Sequence, residues 1–514
     1  MTDSSKLSLN PRMSKRTFLA GSAASLALSA KPFSVRYAKA QASEWDLIIV
    51  GGGTAGMPAA IFAAERGARV LLVDKAPVLG GTMDRSTGQV AAAGTVWQKE
   101  LGIEDSPDAH YDDVMRINRN TSDPLLTRLL VDNAADTLNW FAARGFTVMD
   151  HHPVMGGGHE PFTTRRYQWN ENGAKAFQAI MDPMVEAAQK SGRLEILVST
   201  GAIDLVQDET GAVRGVVTEN DSGERVDYRS KFVLLTSGGC ASNPRMFEDL
   251  HGVPLFCEVA YPYSQGQGIT LGLGAGGYVR GGDKYATLFG TILESDYFPA
   301  PSIGGPSLSP QRRPPWEVFV NVHGKRFVRE DHPSVAHREY VLGQQPGLRH
   351  WAVFDQEVLD SAPPFIPRWS REELEDHFVD HPMFSKAATI GELGVKAGVN
   401  PHNLEIEIAA YNDAILNDRP DAMGREHRPA PIAKGPFYAI RLQGWNVMSY
   451  AGLGVDGQLR VTRADSTPIP NLYAAGEVIG NASTSGKALT NGMGVTPALT
   501  FGRLLGQKII PLTA

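Results

Sequence analysis

The chain has 514 residues, 42% of them hydrophobic and 20% charged, with a net charge of −7 at pH 7. That length predicts two or three domains, and the composition predicts a globular protein with a substantial core. The charge is mild and no basic stretch is interleaved with aromatics, so nucleic acid is excluded as an expected partner.

At the N-terminus, Ser14-Lys15-Arg16-Thr17-Phe18-Leu19 precedes a small-residue apolar stretch from Ala20 to Ala30 and then Ala38-Lys39-Ala40. This resembles a twin-arginine export signal with lysine in the first basic place and an A-x-A cleavage site. The apolar run is shorter than the roughly 20 residues of a bilayer span. Residues 1–40 are expected to be an export signal, the alternative being a disordered or anchoring arm. The mature chain then begins near Gln41, works in the periplasm and has no stable membrane insertion.

Trp45-Asp46-Leu47-Ile48-Ile49-Val50 reads as a buried strand, Gly51-Gly52-Gly53-Thr54-Ala55-Gly56 as a glycine turn, and Pro58 to Ala64 as the start of a helix. Gly51 permits the tight turn, Gly53 the close approach of a diphosphate, and Gly56 the packing of helix on strand. A second strand, Ala68 to Val73, ends at Asp74, about 20 residues downstream, where an acid meets the adenosine ribose. The helix N-terminus offers free N–H groups and a positive dipole end to the phosphates. Together these make a dinucleotide fingerprint that does not choose between NAD and FAD. Strand candidates Leu194 to Ser199, Ala212 to Glu219 and Phe232 to Thr236 are expected to extend a parallel sheet, with a turn at Asn220-Asp221-Ser222-Gly223. From about Tyr285 to Gln443 the chain becomes proline-rich. Near its far end stands Leu472-Tyr473-Ala474-Ala475-Gly476-Glu477, which suggests one site closed by both ends of the chain. Cys240 and Cys257 either pair or remain free thiols. No metal-ligand spacing appears, His151, His152 and His159 lying in a glycine-rich loop, so no metal is expected.

The residues after Asp74 carry a resemblance. Lys75-Ala76-Pro77-Val78-Leu79-Gly80-Gly81-Thr82 and Ser86-Thr87-Gly88-Gln89 are similar to the "EKxxxxGGxxxxSGG" segment of the FAD-binding family of fumarate reductases, succinate dehydrogenases and 3-ketosteroid dehydrogenases. Phe232 to Gly239 resembles its "ATGG" strand, Gly266-Gln267-Gly268-Ile269 its "GDG" turn, and Gly324-Lys325-Arg326-Phe327-Val328-Arg329-Glu330 its "GxRFxxE" segment. Gly452 to Asp456, Pro468 to Glu477 and Pro497 to Gly502 complete the set. The resemblance implies an α/β fold: a Rossmann-like FAD-binding domain in two parts, residues 41–284 and 444–514, with an inserted α+β cap (substrate) domain over residues 285–443. It implies FAD held by Gly51, Gly53, Thr54, Ala55, Gly56, Asp74, Lys75, Gly81, Thr82, Ser86, Thr87, Gly88, Ser237, Gly238, Asn243, Gly476, Glu477 and Val495. Attachment is expected to be non-covalent, because Met83-Asp84-Arg85-Ser86-Thr87 lacks the histidine of succinate dehydrogenases. There is no C-x-x-C-H haem site, so an external electron acceptor or donor is expected.

The fumarate reductase clamp is missing in three places. Its cap arginine corresponds to Ser334, its histidine turn to Val447-Met448-Ser449-Tyr450-Ala451-Gly452-Leu453, and its C-terminal arginine to a segment with only Lys487. The glycine segment from Gly492 to Gly502 is similar to that of 3-ketosteroid dehydrogenases, and Gly492 falls where their backbone N–H polarises a ketone. Their two tyrosines correspond to Ala488 and Ser334. Tyr450, His332 and Lys487 are candidates for the acid or base, although Tyr450 could merely pack on the ring edge and His332 and Lys487 could be solvated. The glycine-rich loop Gly156 to Tyr167 matches a loop that brings in substrate-facing residues in fumarate reductases: its His159, Arg165 and Arg166 could orient a substrate carboxylate or enolate, implying a ketone with an acid group, or Arg165 and Arg166 merely salt-bridge cap to flavin domain. The expected enzyme is an FAD-dependent dehydrogenase of a CH–CH bond next to a carbonyl, acting on a small-molecule substrate such as a 3-ketosteroid or smaller cyclic ketone. It would remove the alpha proton and pass hydride to flavin N5. The alternatives are an exported, fumarate-reductase-like reductase of an activated alkene and a noncatalytic electron-transfer flavoprotein.

Overall fold

The computed structural model describes residues 44–156 and 158–512, so the segment expected to be an export signal lies outside them. Trp45–Val50 (β1) and Val70–Val73 (β2) are nearly unbroken apolar runs, the pattern of strands covered on both faces, and all but Asp46 are buried. Helix Gly56–Glu65 (α1) joins them as a parallel crossover. The sheet continues with Leu194–Leu197 (β3), Thr200–Gln207 (β4), Val213–Asn220 (β5) and Arg225–Leu235 (β6).

The chain then builds a second, antiparallel sheet from Leu288–Leu293 (β7), Ser302–Gly304 (β8), Val318–Val320 (β9), Arg349–Asp355 (β10), Phe384–Ala387 (β11) and Phe437–Trp445 (β12). Its order is β8-β7-β12-β10-β9, with β11 also on β12. Alternation along its strands sends Phe319, Phe354 and Ile440 into one hydrophobic cluster and Val318, Trp351 and Ala439 into another, one on each face. Arg460–Thr462 (β13) and Pro468–Ala474 (β14) return to the first sheet, whose order is β13-β14-β6-β1-β2-β3.

One expectation is corrected here. The strand near Ala212 to Glu219 does not extend the parallel sheet; β5 pairs antiparallel with both β4 and β6. The Asn220–Gly223 turn explains this, because Asn220 N–H donates to Glu224 O and a turn this tight can only reverse the chain.

Among the further helices are Pro107–Ile117 (α2), Pro244–His251 (α3), Val335–Leu342 (α4) and Val495–Leu504 (α5). The last is tied back to the start of the fold, since the Arg66 guanidinium at the end of α1 donates to the carbonyls of Gly506, Ile510 and Leu512 at 2.9 to 3.1 Å. Cys240 and Cys257 are free and buried, and burial pushes their thiols up to about 12 and about 11. Among the described residues no helix is long and apolar enough to cross a membrane.

Candidate active site

Four parallel strands end at one place. Gly51 follows β1, Asp74 follows β2, Thr236-Ser237-Gly238 follows β6 and Gly476-Glu477 follows β14, and all of them line a cavity of about 810 Å³. The carboxyl end of a doubly wound sheet is where such folds bind ligands.

The wall matches the donor set that a flavin dinucleotide requires. Gly53, Thr54 and Ala55 face the cavity at the start of α1, and α1 has no side-chain cap, so among the described residues the N–H groups of Thr54, Ala55 and Gly56 meet no acceptor and are available to a diphosphate. A Cβ on Gly56 would stand 1.9 Å from Gly51 O, so this glycine sets the contact between helix and strand and does not line the cavity. Asp74 accepts from Gly52 N at 2.6 Å and Ala76 N at 2.8 Å, which aims its carboxyl along the turn. Burial holds this carboxyl above the ordinary carboxylate value. Glu477 is likewise raised by burial, and its Oε1 accepts from Ser449 N and Oγ at 2.7 and 2.9 Å.

Lys75, Gly81, Thr82, Ser86, Thr87 and Val495 also stand on this wall. Besides Gly56, two residues expected to touch the cofactor do not line the cavity. Gly88 packs against the Gly173-Ala174 backbone. Asn243 is the N-cap of α3: its Oδ1 accepts from Met246 N at 3.0 Å and its Nδ2 donates to Gln265 O at 3.1 Å, so both ends of the side chain are committed elsewhere.

Of the five candidates for chemistry, only Gly492 faces the cavity. It adopts φ +75°, a Cβ there would lie 2.5 Å from Ala91 N, and among the described residues its N–H meets no acceptor. Tyr450 is fully buried one layer behind: its hydroxyl donates to Ala488 O at 3.0 Å, its ring abuts Tyr285, and burial raises its pKa. His332 stacks on His337 with ring centroids 4.3 Å apart, and its Nδ1 accepts from Ser334 N. Lys487 is exposed. Arg165 donates to Pro153 O and His151 O, stapling its own loop. Arg166 is fully buried on Asp105 and on Asp113 of α2. Neither arginine reaches the cavity, which removes the basis for requiring an acid group on the substrate, and neither bridges to the second sheet. Ser334, in the column of the missing cap arginine, is instead the N-cap of α4 and donates to Glu160 Oε2 at 2.7 Å.

Groups beyond the five candidates complete the wall. Thr490 is 7% exposed, faces the cavity and has no partner for its hydroxyl among the described residues. His159 faces it from the glycine-rich loop, with Nδ1 3.6 Å from Glu339 Oε1 on α4. Leu288, Val447, Met448, Ile479, Leu489 and Met493 make much of the remainder apolar. The one arginine on the wall among the described residues, Arg85, is exposed.

Fold and wall together define a dinucleotide-binding oxidoreductase of the flavin type. The family model described as "FAD binding domain" matches residues 46–494, and the chain belongs to this family. It is 27% identical over 468 residues to a fumarate reductase (cytochrome) of Shewanella frigidimarina, covering 90% of this chain and 76% of that protein. It is 26% identical to a 4-oxocyclohexanecarboxylate 2-dehydrogenase of Sinomonas cyclohexanicum, covering 91% of this chain and 93% of the other. Its fold matches a 3-ketosteroid-Δ4-(5α)-dehydrogenase of Rhodococcus jostii RHA1 with a TM-score of 0.65 at 22% identity, over 91% and 97% of the two chains. The protein is an FAD-dependent oxidoreductase of the fumarate reductase and ketosteroid dehydrogenase type.

Proposed function

We propose that the enzyme dehydrogenates the CH–CH bond next to the carbonyl of a cyclic ketone, steroid-like or smaller. The observation that carries this reading is a pair of donors in one segment that are unengaged among the described residues: the N–H of Gly492, which lines the cavity, and the Thr490 hydroxyl, which is buried beside it. A preorganised donor stabilises a developing oxyanion, which is what removal of a proton alpha to a ketone demands, and one such donor contributes on the order of 3 kcal/mol. A dicarboxylate substrate calls for guanidinium partners, and among the described residues the wall offers a single, exposed arginine, Arg85. The apolar side chains around Met448 and Leu489 suit an alicyclic skeleton and exclude water from the reacting carbons. The relative from Sinomonas cyclohexanicum, by its name a dehydrogenase of a cyclic ketone, supports the same class.

FAD, non-covalently held by the glycine turn, Asp74, Ser237 and Glu477, supplies the two-electron acceptor. An external partner takes the electrons onward, and the twin-arginine-like segment directs the folded protein to the periplasm. Anaerobic mixing of the oxidised protein with saturated cyclic ketones and 3-ketosteroids tests the reading: a ketone should bleach the flavin. Silence towards every ketone, with reoxidation of the chemically reduced protein by an enoate, would overturn it in favour of an exported alkene reductase, the direction of the Shewanella relative.

A further inference from the structure

The two proton-transfer groups known from the resemblance are absent, and the substitutes expected from the sequence point away from the cavity. We infer that the proton is handled by His159, positioned by Glu339, a pair contributed by two separate parts of the chain. This rests on the reading that the cavity transforms a carbon next to a carbonyl, in either direction.

His159 lies in the loop between the two tightly bonded backbone positions Val154 and Tyr167, which bridge each other. Two contacts on its neighbour Glu160 fix the loop on opposite sides. The Glu160 carbonyl accepts from Asn491 Nδ2 at 2.7 Å, next to Gly492. Its carboxylate accepts from Ser334 Oγ at 2.7 Å and Ala336 N at 3.3 Å at the start of α4. His159 is thereby held between the candidate oxyanion segment and α4, one turn along which Glu339 stands, 7% exposed. The 3.6 Å from Nδ1 to Glu339 Oε1 is slightly long for a hydrogen bond, as such pairs commonly are before substrate binds. Among the described residues Nδ1 has no other partner.

A carboxylate facing Nδ1 favours the tautomer with hydrogen on that nitrogen and leaves Nε2 as the base. In dehydrogenation the Cα–H bond breaks, its proton moves to Nε2, and its electron pair becomes the enolate whose oxygen meets the Gly492 N–H. The imidazolium then formed is balanced by Glu339. In the opposite direction the same imidazolium returns the proton to carbon. The other charged or titratable groups that bear on the pair are Arg338 beside Glu339, Glu160 across from it and Tyr450 behind it; burial dominates and raises the Glu339 carboxyl. His159 is the catalytic residue and Glu339 a positioning residue.

Proton removal can be read without redox turnover. With the flavin chemically reduced, a saturated cyclic ketone in D2O should exchange its alpha hydrogens, followed by mass spectrometry. His159→Gln should slow this exchange by at least about 100-fold, the lower range for a general base, while the visible spectrum of bound flavin and the melting temperature stay those of the parent. Glu339→Gln should cause a smaller loss. It should also displace to lower pH the titration of the histidine ring Cε1–H NMR signal that His159→Gln removes, because a neutral amide no longer stabilises the imidazolium. Exchange within about threefold of the parent in His159→Gln would overturn the inference while leaving the proposed function in place. An NMR titration unmoved by Glu339→Gln would overturn the positioning role. A parent protein that neither exchanges nor reacts with any ketone or enoate would overturn the function, and the role of His159 with it.

Discussion

Thr490 and Tyr450 carry hydroxyls in opposite circumstances. Thr490 faces the cavity and its hydroxyl has no partner among the described residues, while Tyr450 is hidden behind the wall with its hydroxyl on Ala488 O. An unpaired buried hydroxyl costs stability, of the order of 1 to 3 kcal/mol, and is retained where a ligand uses it. Thr490→Val is therefore expected to leave the melting temperature unchanged or raised, and to slow flavin reduction by a ketone about tenfold. Tyr450→Phe should do the reverse: the orphaned Ala488 carbonyl costs about 1 kcal/mol, and stopped-flow reduction should remain within about threefold of the parent. The two variants, compared by calorimetry and stopped flow, separate a group that meets substrate from one that supports the wall. The sequence placed Tyr450 beside the right turn, but neighbourhood along the chain does not say on which side of a turn a ring falls, and here it falls onto Tyr285.

At the scale of elements, helix starts decide two readings. Asn243 precedes Pro244, and asparagine followed by proline is an N-cap signal that competes with any ligand for the side chain. Asn243→Ala is expected to cost about 1 kcal/mol of stability, seen in the denaturation midpoint, and to leave the flavin-to-protein ratio unchanged. Ser334 caps α4 and also docks on Glu160, so Ser334→Ala should cost the same cap plus the interaction that joins α4 to the His159 loop, more than Asn243→Ala. What was legible in the sequence was contiguous: strand, glycine turn, helix and Asp74 fall within thirty-odd positions, and the strand before Gly476 carries its own pattern. What was illegible was the meeting of His159 with Glu339, because no local pattern records which residue of a helix comes to face a distant loop. The hairpin of β5 and β6 was half legible; its turn was visible, and the consequence of so short a turn for strand direction was the missing step.

For the molecule as a whole, two buried histidines contribute to the response to acid. His110, beside Arg166, Asp105 and Asp113, and His350, among Phe289, Phe319 and Phe327 and near Arg338, have no partner for either ring nitrogen among the described residues. Burial lowers both to about 3 from an ordinary 6.5. Between those values the unfolded chain binds protons that the native protein does not, so stability is full above pH 6.5 and falls as the pH drops through the window, by up to about 1.4 kcal/mol per pH unit for each histidine. His350→Phe, which keeps a ring of similar shape among aromatics, should flatten this fall in melting temperature between about pH 6.5 and 4.5; an unchanged slope would show that other groups govern it.

The place of β14 in the first sheet has a consequence for biosynthesis. Its only parallel partner among the described residues is β6, more than 230 residues upstream by the register Leu472 with Val233, and α5 and the carbonyls held by Arg66 come later still. A ribosome therefore delivers β1, β2 and β6 long before their edge is covered and before Gly476 and Glu477 can close the cavity. The nascent chain carries an open, apolar strand edge through the making of the entire second sheet, the condition under which strands pair with the wrong neighbour. Closure of the site around the cofactor must await the synthesis of β14, and a chain shortened before β14 should be recovered as flavin-free aggregate.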